Sequence, residues 1–300
     1  MIKPFLGIAF GGGGVRGAAH VGVLQELHKA GITADIVSGV SAGSIVAGMY
    51  AMSLDPFILE DKFREIWKTH DFQKSSKGIF LNQKKKSISA NFFGTFLNYI
   101  ITIKSFHSKS ILKNDLLKKT LKSLFGEINF RDLKIPLKVV ATEINSGDDI
   151  IYEKGNLLNA ILQSSSIPGI LEPSIIAEKI IVDGGVGMPV PISAIKNKCE
   201  FTIAVDIGMY KLRPIDNVNA ASIKKRSQII TSNRLKRKLS SEADFVINPD
   251  TMGMEWSDFN GIEKIFEKGK IAAQESILLL QEKIIERKKE RNTNVKQYLS

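Results

Sequence analysis

Short apolar runs alternate along the chain with stretches in which apolar residues recur at helical spacing. A short apolar run bounded by glycine or polar residues predicts a buried strand, and helical spacing predicts an amphipathic helix. Strands that alternate with helices predict an α/β fold with a mainly parallel sheet. We predict strands at 3–10, 36–40, 135–142, 179–183, 201–207 and 245–249, and helices at 18–30, 112–125, 157–164 and 261–289.

The region at 57–130 has the weakest periodicity. A lysine run at 84–86 precedes an aromatic and apolar patch at 92–101. One interpretation is a buried helix pair flanked by solvated lysines. The other is a mobile cap that dips into lipid, because basic residues beside exposed aromatics suit an interfacial segment. The nearest candidate for a spanning helix, at 92–103, is shorter than the roughly 18 to 20 apolar residues required.

The composition is that of a globular protein, with 43% hydrophobic and 24% charged residues among 300. A chain of this length forms one elaborated domain or two. Because the chain has a single cysteine, Cys199, no intramolecular disulfide is possible and a reducing compartment is favoured. We expect Cys199 to be a small core residue. We therefore expect a cytoplasmic location, and the short apolar run at the N terminus does not predict a secretory signal.

The net charge of +11 predicts attraction to an anionic surface. The aromatic residues do not interleave with the basic runs as they do in nucleic-acid readers. We therefore expect peripheral association with an anionic membrane, such as the inner membrane surface, and no nucleic acid. The basic run at 224–238 is typical of a solvated helix face, with a surface for lipid headgroups or a partner as the alternative. The charged tail from Lys283 leaves a homo-oligomer open.

A glycine-rich loop at 11–17 joins the first predicted strand to the first predicted helix. Backbone amides in such a loop point into a common space and bind an anion. A pyrophosphate is one candidate, because Gly12, Gly14 and Gly17 match the dinucleotide fingerprint. That fingerprint requires an acidic residue at the end of the second strand, whereas Asp35 stands at its start. We favour the other candidate, an oxyanion formed on a nearby serine.

The serine that this loop would serve is Ser41, which follows the second predicted strand. Gly39 and Gly43 flank it in a Gly-x-Ser-x-Gly pattern, which is typical of a nucleophile elbow. Side chains two positions away would collide with the neighbouring chain in so sharp a turn. A helix of small residues follows, and its positive end lies where negative charge develops on the serine oxygen. A glycine-rich turn with a chance serine is the alternative.

The base for this serine is not among the histidines, because none follows residue 107 and an α/β-hydrolase triad has a late histidine. A carboxylate must then accept the proton. Asp183 ends a short apolar strand, and the glycines after it permit close approach of another loop, although Asp-Gly by itself is a common β-turn signal. Asp206 also ends a strand but lacks a following glycine pair, so we expect a structural role for it. The histidines are His20, His28, His70 and His107.

Together these motifs resemble the patatin-like phospholipase family. The glycine loop is similar to that family's Gly-Gly-Gly-x-Arg-Gly motif, the serine turn to its nucleophile elbow, and the aspartate turn to its Asp-Gly-Gly motif. The order and separation agree over roughly residues 5–206, and the stretches at 18–24, 140–143 and 164–168 agree as well. The residues that carry the motifs are Gly12, Gly13, Gly14, Arg16, Gly17, Gly39, Ser41, Gly43, Asp183, Gly184 and Gly185.

The resemblance implies a three-layer α/β/α sandwich with a helical cap-like insertion. By resemblance, Ser41 is the nucleophile and Asp183 the base of a Ser-Asp dyad, and Arg16 either braces the loop or meets an anionic substrate group. We expect a catalytic domain at 5–206, with the insertion at 57–130, and a C-terminal segment at 207–300 that packs on the core. The oxyanion amides would come from Gly12, Gly13 and Gly14.

The resemblance also implies the activity, a serine lipid acyl hydrolase of the phospholipase A or lysophospholipase type. Its substrates would be phospholipids or lysophospholipids, and we expect no cofactor and no metal, since no His/Cys cluster has ligand spacing. Three alternatives remain: an acyltransferase that uses the same dyad, a catalytically silent lipid-binding scaffold, and a nucleotide-binding oxidoreductase that uses the glycine loop.

Overall fold

The computed structural model describes residues 3–68, 110, 113–258 and 261–299. The aromatic patch at 92–101, the lysines at 84–86, His70 and His107 lie outside these ranges. Both interpretations of the cap-like region therefore remain predictions. The part of that region that is described contains two helices, Pro56–Lys68 and Asp115–Phe125.

Within the described residues, the fold is built on an eight-stranded sheet in which hydrogen-bonded pairing connects β5-β6-β3-β2-β1-β7-β8 in this sequence, and β4 also pairs with β3. Five strands run parallel to one another, whereas β4, β5 and β6 pair antiparallel. The predicted α/β fold with a mainly parallel sheet is confirmed. The strands are β1 (Leu6–Phe10), β2 (Ile36–Val40), β3 (Leu137–Glu143), β4 (Asp149–Tyr152), β5 (Ser174–Ile176), β6 (Lys179–Asp183), β7 (Phe201–Val205) and β8 (Phe245–Ile247).

The helices of the described chain connect these strands and cover the sheet. None of the helices that the structure describes is both long enough and apolar enough to cross a bilayer. They are α1 (Ala18–Lys29), α2 (Ala42–Ser53), α3 (Pro56–Lys68), α4 (Asp115–Phe125), α5 (Leu157–Ser164), α6 (Ala220–Ser240) and α7 (Ile262–Leu299).

The central strands β1, β2 and β7 are buried at every position. Continuous apolar strands are typical of a parallel sheet that is covered on both faces. Ile8 and Phe10 point into a core shared with the helices on one face, whereas Ala9 points into a second core with Ile192. The sheet is therefore the middle of three layers. Cys199 is buried in the second core, as predicted.

Two strands, β4 and β5, were not predicted. β4 and β5 are short and partly exposed, so their sequences lack a continuous apolar run. The basic run lies within α6, which begins at Asn219, where a capping box with Ser222 satisfies the first backbone amides. The antiparallel direction of β6 was also not predicted, and it determines how the candidate site is assembled.

Candidate active site

Two strands end against the same edge of β3. β2 runs parallel to β3, and its last residue, Val40, pairs with Val140. β6 runs antiparallel to β3, and its last residue, Asp183, pairs with Ala141. Since β4 pairs along the opposite edge of β3, β2 and β6 share one edge and run toward each other. Ser41, the residue after β2, therefore lies beside Asp183.

Ser41 occupies the sharp turn that its sequence predicts. Its φ of 54° lies in a region that residues other than glycine rarely adopt. A Cβ on Gly39 would overlap the carbonyl oxygen of Gly43, and a Cβ on Gly43 would overlap that of Phe10. The two flanking glycines are thus required by the close approach of β1, β2 and α2. Ser41 also precedes the first turn of α2, whose dipole has its positive end there.

The turn is held by a second serine, Ser164, at the end of α5. The backbone N–H of Ser41 donates to the Ser164 Oγ at 2.9 Å, and that hydroxyl donates to the Val140 carbonyl at 2.6 Å. Ser164 is fully buried and links α5, β3 and the serine turn. No local pattern indicates this role, because the two serines are 123 positions apart. Only its place in the 164–168 stretch pointed to it.

The side chains of Asp183 and Ser41 line one cavity, and the Ser41 side chain favours the charged form of the Asp183 carboxyl group. The Oδ1 of Asp183 accepts the Gly185 N–H at 2.7 Å, and its own N–H donates to the Ser166 carbonyl at 2.9 Å. Burial raises the pKa of Asp183 to about 6, although the Ser41 side chain, the hydrogen bond from Gly185 and the charge of Lys236 act in the opposite direction. A carboxyl group with a pKa this close to neutrality is suited to accept and return a proton.

Buried nitrogen-bearing side chains hold three successive carbonyls of the glycine loop. Burial lowers the pKa of His20 to about 4, so its ring is neutral and donates through Nε2. The other two side chains are cations. The pairs are His20 Nε2 with the Gly11 carbonyl at 2.8 Å, Lys236 Nζ with the Gly12 carbonyl at 2.5 Å, and Arg16 Nε with the Gly13 carbonyl at 3.0 Å.

These bonds decide which loop amides are free. In a planar trans peptide, a carbonyl and the following N–H point in opposite directions. The N–H groups of Gly13 and Gly14 therefore point away from the side chains that hold the preceding carbonyls, and neither has an acceptor among the described residues. The Gly12 N–H, in contrast, donates to the Pro189 carbonyl at 3.0 Å. The amides available to an anion are those of Gly13 and Gly14 rather than all three that were predicted.

Arg16 is buried beneath the loop. Burial lowers its pKa to about 10, and the negative charges of Glu255 and Asp206 oppose that shift. Its Nε holds the Gly13 carbonyl. Of the two roles that the resemblance implied for Arg16, this contact corresponds to the bracing of the loop.

Lys236 is the site residue that sequence reasoning missed. It was placed in a basic run typical of a solvated face, yet it is only 5% exposed. A weak signal existed: Lys225, Ile229, Ser232 and Lys236 recur at helical spacing, and all four line the cavity above Ser41. One face of α6 is therefore a wall of the site, while the opposite face carries exposed cations.

The cavity above Ser41 has a volume of about 360 Å³ and contains both Ser41 and Asp183. Ile167, Val186 and Trp256 supply apolar surface around it. A larger open cavity, of about 590 Å³, lies at residues 129–136 and 153–155 and contains neither Ser41 nor Asp183. The chemistry therefore belongs to the smaller cavity.

Other side chains that could act as the base make contacts away from Ser41. Asp206 accepts hydrogen bonds from the Gly208 N–H and from the hydroxyls of Tyr210 and Ser240. His28 packs edge-on against Phe57. Within the described ranges, no group of three or more His, Cys, Asp or Glu residues is arranged to hold a metal ion. The side chain that faces Ser41 is the carboxylate of Asp183.

The fold and the site define a class: α/β proteins with a serine on a strand-to-helix turn, beside a buried carboxyl group and a loop with free amides. The chain belongs to the patatin-like phospholipase family, whose model matches residues 8–195. The resemblance stated from the motifs is thereby confirmed.

Relatives match about two thirds of this chain. An uncharacterized NTE family protein of Mycobacterium tuberculosis is 28% identical over 207 residues, which are 68% of this chain and 49% of that protein. Lysophospholipase NTE1 of Meyerozyma guilliermondii is 30% identical over 68% of this chain and 12% of that protein. The chain thus corresponds to half or less of the length of these relatives. Among solved structures, VipD from Legionella pneumophila aligns with a TM-score of 0.48 and 14% identity, over 92% of this chain and 67% of that one.

Proposed function

We propose that the protein is a serine lipid acyl hydrolase in which Ser41 and Asp183 form a catalytic dyad. The observation that carries the proposal is that the strained Ser41 and the buried carboxyl group of Asp183 line one cavity, next to a loop with two free amides. A structural turn would need neither the strained serine nor the buried carboxyl group, both of which cost stability. Family membership supports the same reaction class.

In the proposed reaction, the Ser41 Oγ attacks the ester carbonyl carbon while its proton passes to Asp183. The carbonyl oxygen becomes an oxyanion, which accepts hydrogen bonds from the backbone N–H groups of Gly13 and Gly14. The intermediate collapses, and Asp183 returns the proton to the departing alcohol. Water then attacks the acyl-enzyme, gives a proton to Asp183, and releases the fatty acid as Ser41 regains its proton.

The proposed substrates are phospholipids or lysophospholipids. The cavity combines apolar side chains with the ammonium group of Lys225, which suits a molecule with an acyl chain and an anionic headgroup. The name of the lysophospholipase relative supports the same class. Exposed cations on α6, among them Lys224, Arg234 and Lys238, would attract an anionic membrane surface.

The test is the release of fatty acid from phospholipid and lysophospholipid vesicles by the parent protein, Ser41→Ala and Asp183→Asn. We expect each substitution to lower turnover by about 1,000-fold or more. Ser123→Ala and Asp216→Asn are the matched controls, because both residues are exposed. They should retain parental turnover, and circular dichroism should show that all five proteins are folded.

The outcomes separate the alternatives. Turnover that persists in Ser41→Ala would contradict the dyad. Transfer of the acyl group to an added alcohol, in preference to water, would indicate an acyltransferase. If the parent protein and all variants bind vesicles but none of them releases fatty acid, a lipid-binding scaffold would be favoured. NAD(P) binding that survives Ser41→Ala would favour the nucleotide site.

A further inference from the structure

Lys236 is a buried cation in direct contact with the glycine loop. The Lys236 Nζ lies 2.5 Å from the Gly12 carbonyl oxygen, and Lys236 is 5% exposed. It stands on α6, which is far from the loop in sequence, since 224 positions separate the two residues. Burial of an ammonium group costs stability unless partners compensate it, so its position requires a reason beyond packing.

The charges around Lys236 come from three different elements. Arg16 on the loop adds a second positive charge, which together with burial lowers the pKa of Lys236 to about 7. Asp206, after β7, and Asp183, at the end of β6, act in the opposite direction. Asp206 is already bound by other donors, including the hydroxyl of Ser240. Asp183 lines the same cavity as Lys236 and Ser41, and it is thus the acidic group near Lys236 that also lies beside Ser41.

The bond to Gly12 controls the neighbouring amide. The Gly12 carbonyl and the Gly13 N–H belong to one planar peptide and point in opposite directions. A donor that fixes the carbonyl therefore fixes the N–H. Without the ammonium group, the Gly12 carbonyl would lose a charge-assisted hydrogen bond in a buried site, and the peptide would be free to rotate toward another donor.

We propose that Lys236 is a positioning residue for the reaction, which fixes the Gly13 amide toward the oxyanion and supports the charged form of Asp183. The inference rests on the proposed function and adds to it a residue that contacts neither the substrate ester nor Ser41. It differs from a structural role because it requires the charge of Lys236 as well as its volume.

The first test replaces Lys236 with Met, which keeps most of the side-chain volume but removes the charge. We expect kcat to fall about 10- to 100-fold with KM within about twofold, since a misdirected oxyanion donor affects the transition state. Lys264→Met is the matched control, because Lys264 is exposed on α7 and belongs neither to the cavity lining nor to the cationic face of α6. It should retain the parental kcat and pH profile.

The second readout is the pH profile of kcat/KM. The positive charge of Lys236 lowers the pKa of Asp183, so its removal should move the acidic limb of the profile to higher pH. A residue that only packs would leave this limb in place. An unchanged limb together with an unchanged kcat would overturn the proposal.

A third variant covers the case in which Lys236→Met does not fold. Lys236→Cys, alkylated after folding with 2-bromoethylamine, regains an ammonium group at the same distance from the backbone. The native Cys199 is buried, and burial raises its pKa to about 11, so it should not react. We expect kcat of Lys236→Cys to be at least tenfold below that of the parent protein before alkylation. We expect alkylation to reverse this loss. A cysteine variant with parental kcat before alkylation, or with no recovery after it, would overturn the proposal.

One arm does not depend on turnover. A ¹³C NMR titration of labelled aspartate carboxyls, with Asp183→Asn for assignment, measures the pKa of Asp183 directly. We expect this pKa to rise in Lys236→Met and to stay unchanged in Lys264→Met. If the parent protein hydrolyses no ester, the proposed function fails, and this titration still decides whether Lys236 supports the charge of Asp183. An unchanged pKa would overturn that part of the inference.

Discussion

Val40 and Asp183 pair with successive residues of β3, although they end strands that run in opposite directions. The serine and the carboxyl group of the candidate site are therefore positioned by backbone hydrogen bonds to one shared strand. Sites held by strands are more rigid than sites on loops. Any change that separates the two strand ends should also separate Ser41 from Asp183.

Gly184→Ala tests this relationship. An added Cβ would overlap the Val140 carbonyl oxygen and lie 2.9 Å from Val40 Cγ2. We expect a loss of about 1–3 kcal/mol in the free energy of unfolding, and a fall in kcat of at least tenfold because the dyad is displaced. Denaturant unfolding and ester turnover measure the two effects. In Gly31→Ala the added methyl meets no atom within 4 Å, although the φ of 71° also makes this substitution cost stability. Turnover should therefore be retained in Gly31→Ala, and an equal loss of turnover in both variants would contradict the prediction.

The pH dependence of activity follows from Asp183. Only its ionised form accepts the Ser41 proton, and burial raises its pKa from 3.8 to about 6. We expect kcat/KM to rise with pH through about 6 and to fall again above about 7, where Lys236 loses its proton. A pH–rate profile between pH 4 and pH 8 is the measurement. A profile already flat at pH 5 would show that another group is the base.

Stability should change with pH in the opposite direction. The folded state binds the Asp183 proton more tightly than the unfolded state, so folding is favoured most below the unfolded pKa of 3.8, and this contribution is lost as the pH rises through about 6. We expect the loss to approach about 3 kcal/mol. Urea unfolding of the parent and of Asp183→Asn at pH 4 and pH 7 isolates it, since the asparagine variant should lack this component.

Ser164→Ala should weaken the serine turn. It removes the acceptor of the Ser41 N–H and the donor to the Val140 carbonyl. The cost of leaving buried groups without partners is about 1–3 kcal/mol. Ser165→Ala is a matched control one position away, because the buried Ser165 hydroxyl has no hydrogen-bond partner among the described residues. Thermal unfolding should separate the two variants, and equal losses would contradict the role of Ser164.

The exposed cations of α6 should contribute to membrane association. We expect the triple substitution of Lys224, Arg234 and Lys238 by Gln to weaken binding to anionic vesicles about 100-fold, at about 1 kcal/mol per charge. Sedimentation with vesicles at low and high salt measures this. The same substitution of Lys264, Lys283 and Lys289, which are exposed on α7, is the control with an equal change in net charge. Equal weakening in both would indicate a general charge effect instead of a surface on α6.

The sequence by itself determined the fold class and the local chemistry. Apolar runs placed the buried strands, and the elbow around Ser41 follows from close contacts of neighbouring elements, which only glycine at Gly39 and Gly43 permits. Asp183 was identified by its place at the end of a strand. These features depend on short sequence motifs, so they can be recognised in a single amino-acid sequence.

Only the tertiary structure decided how these parts combine. The antiparallel entry of β6 places Asp183 beside Ser41, and strand direction is not encoded in a short apolar run. The contacts of Ser164 with Ser41 and of Lys236 with Gly12 join residues 123 and 224 positions apart. The binding of the Gly12 amide by Pro189, which leaves Gly13 and Gly14 free, likewise depends on a distant segment. A side chain acquires such a role from the groups that burial brings to it, and that burial is a property of the folded chain.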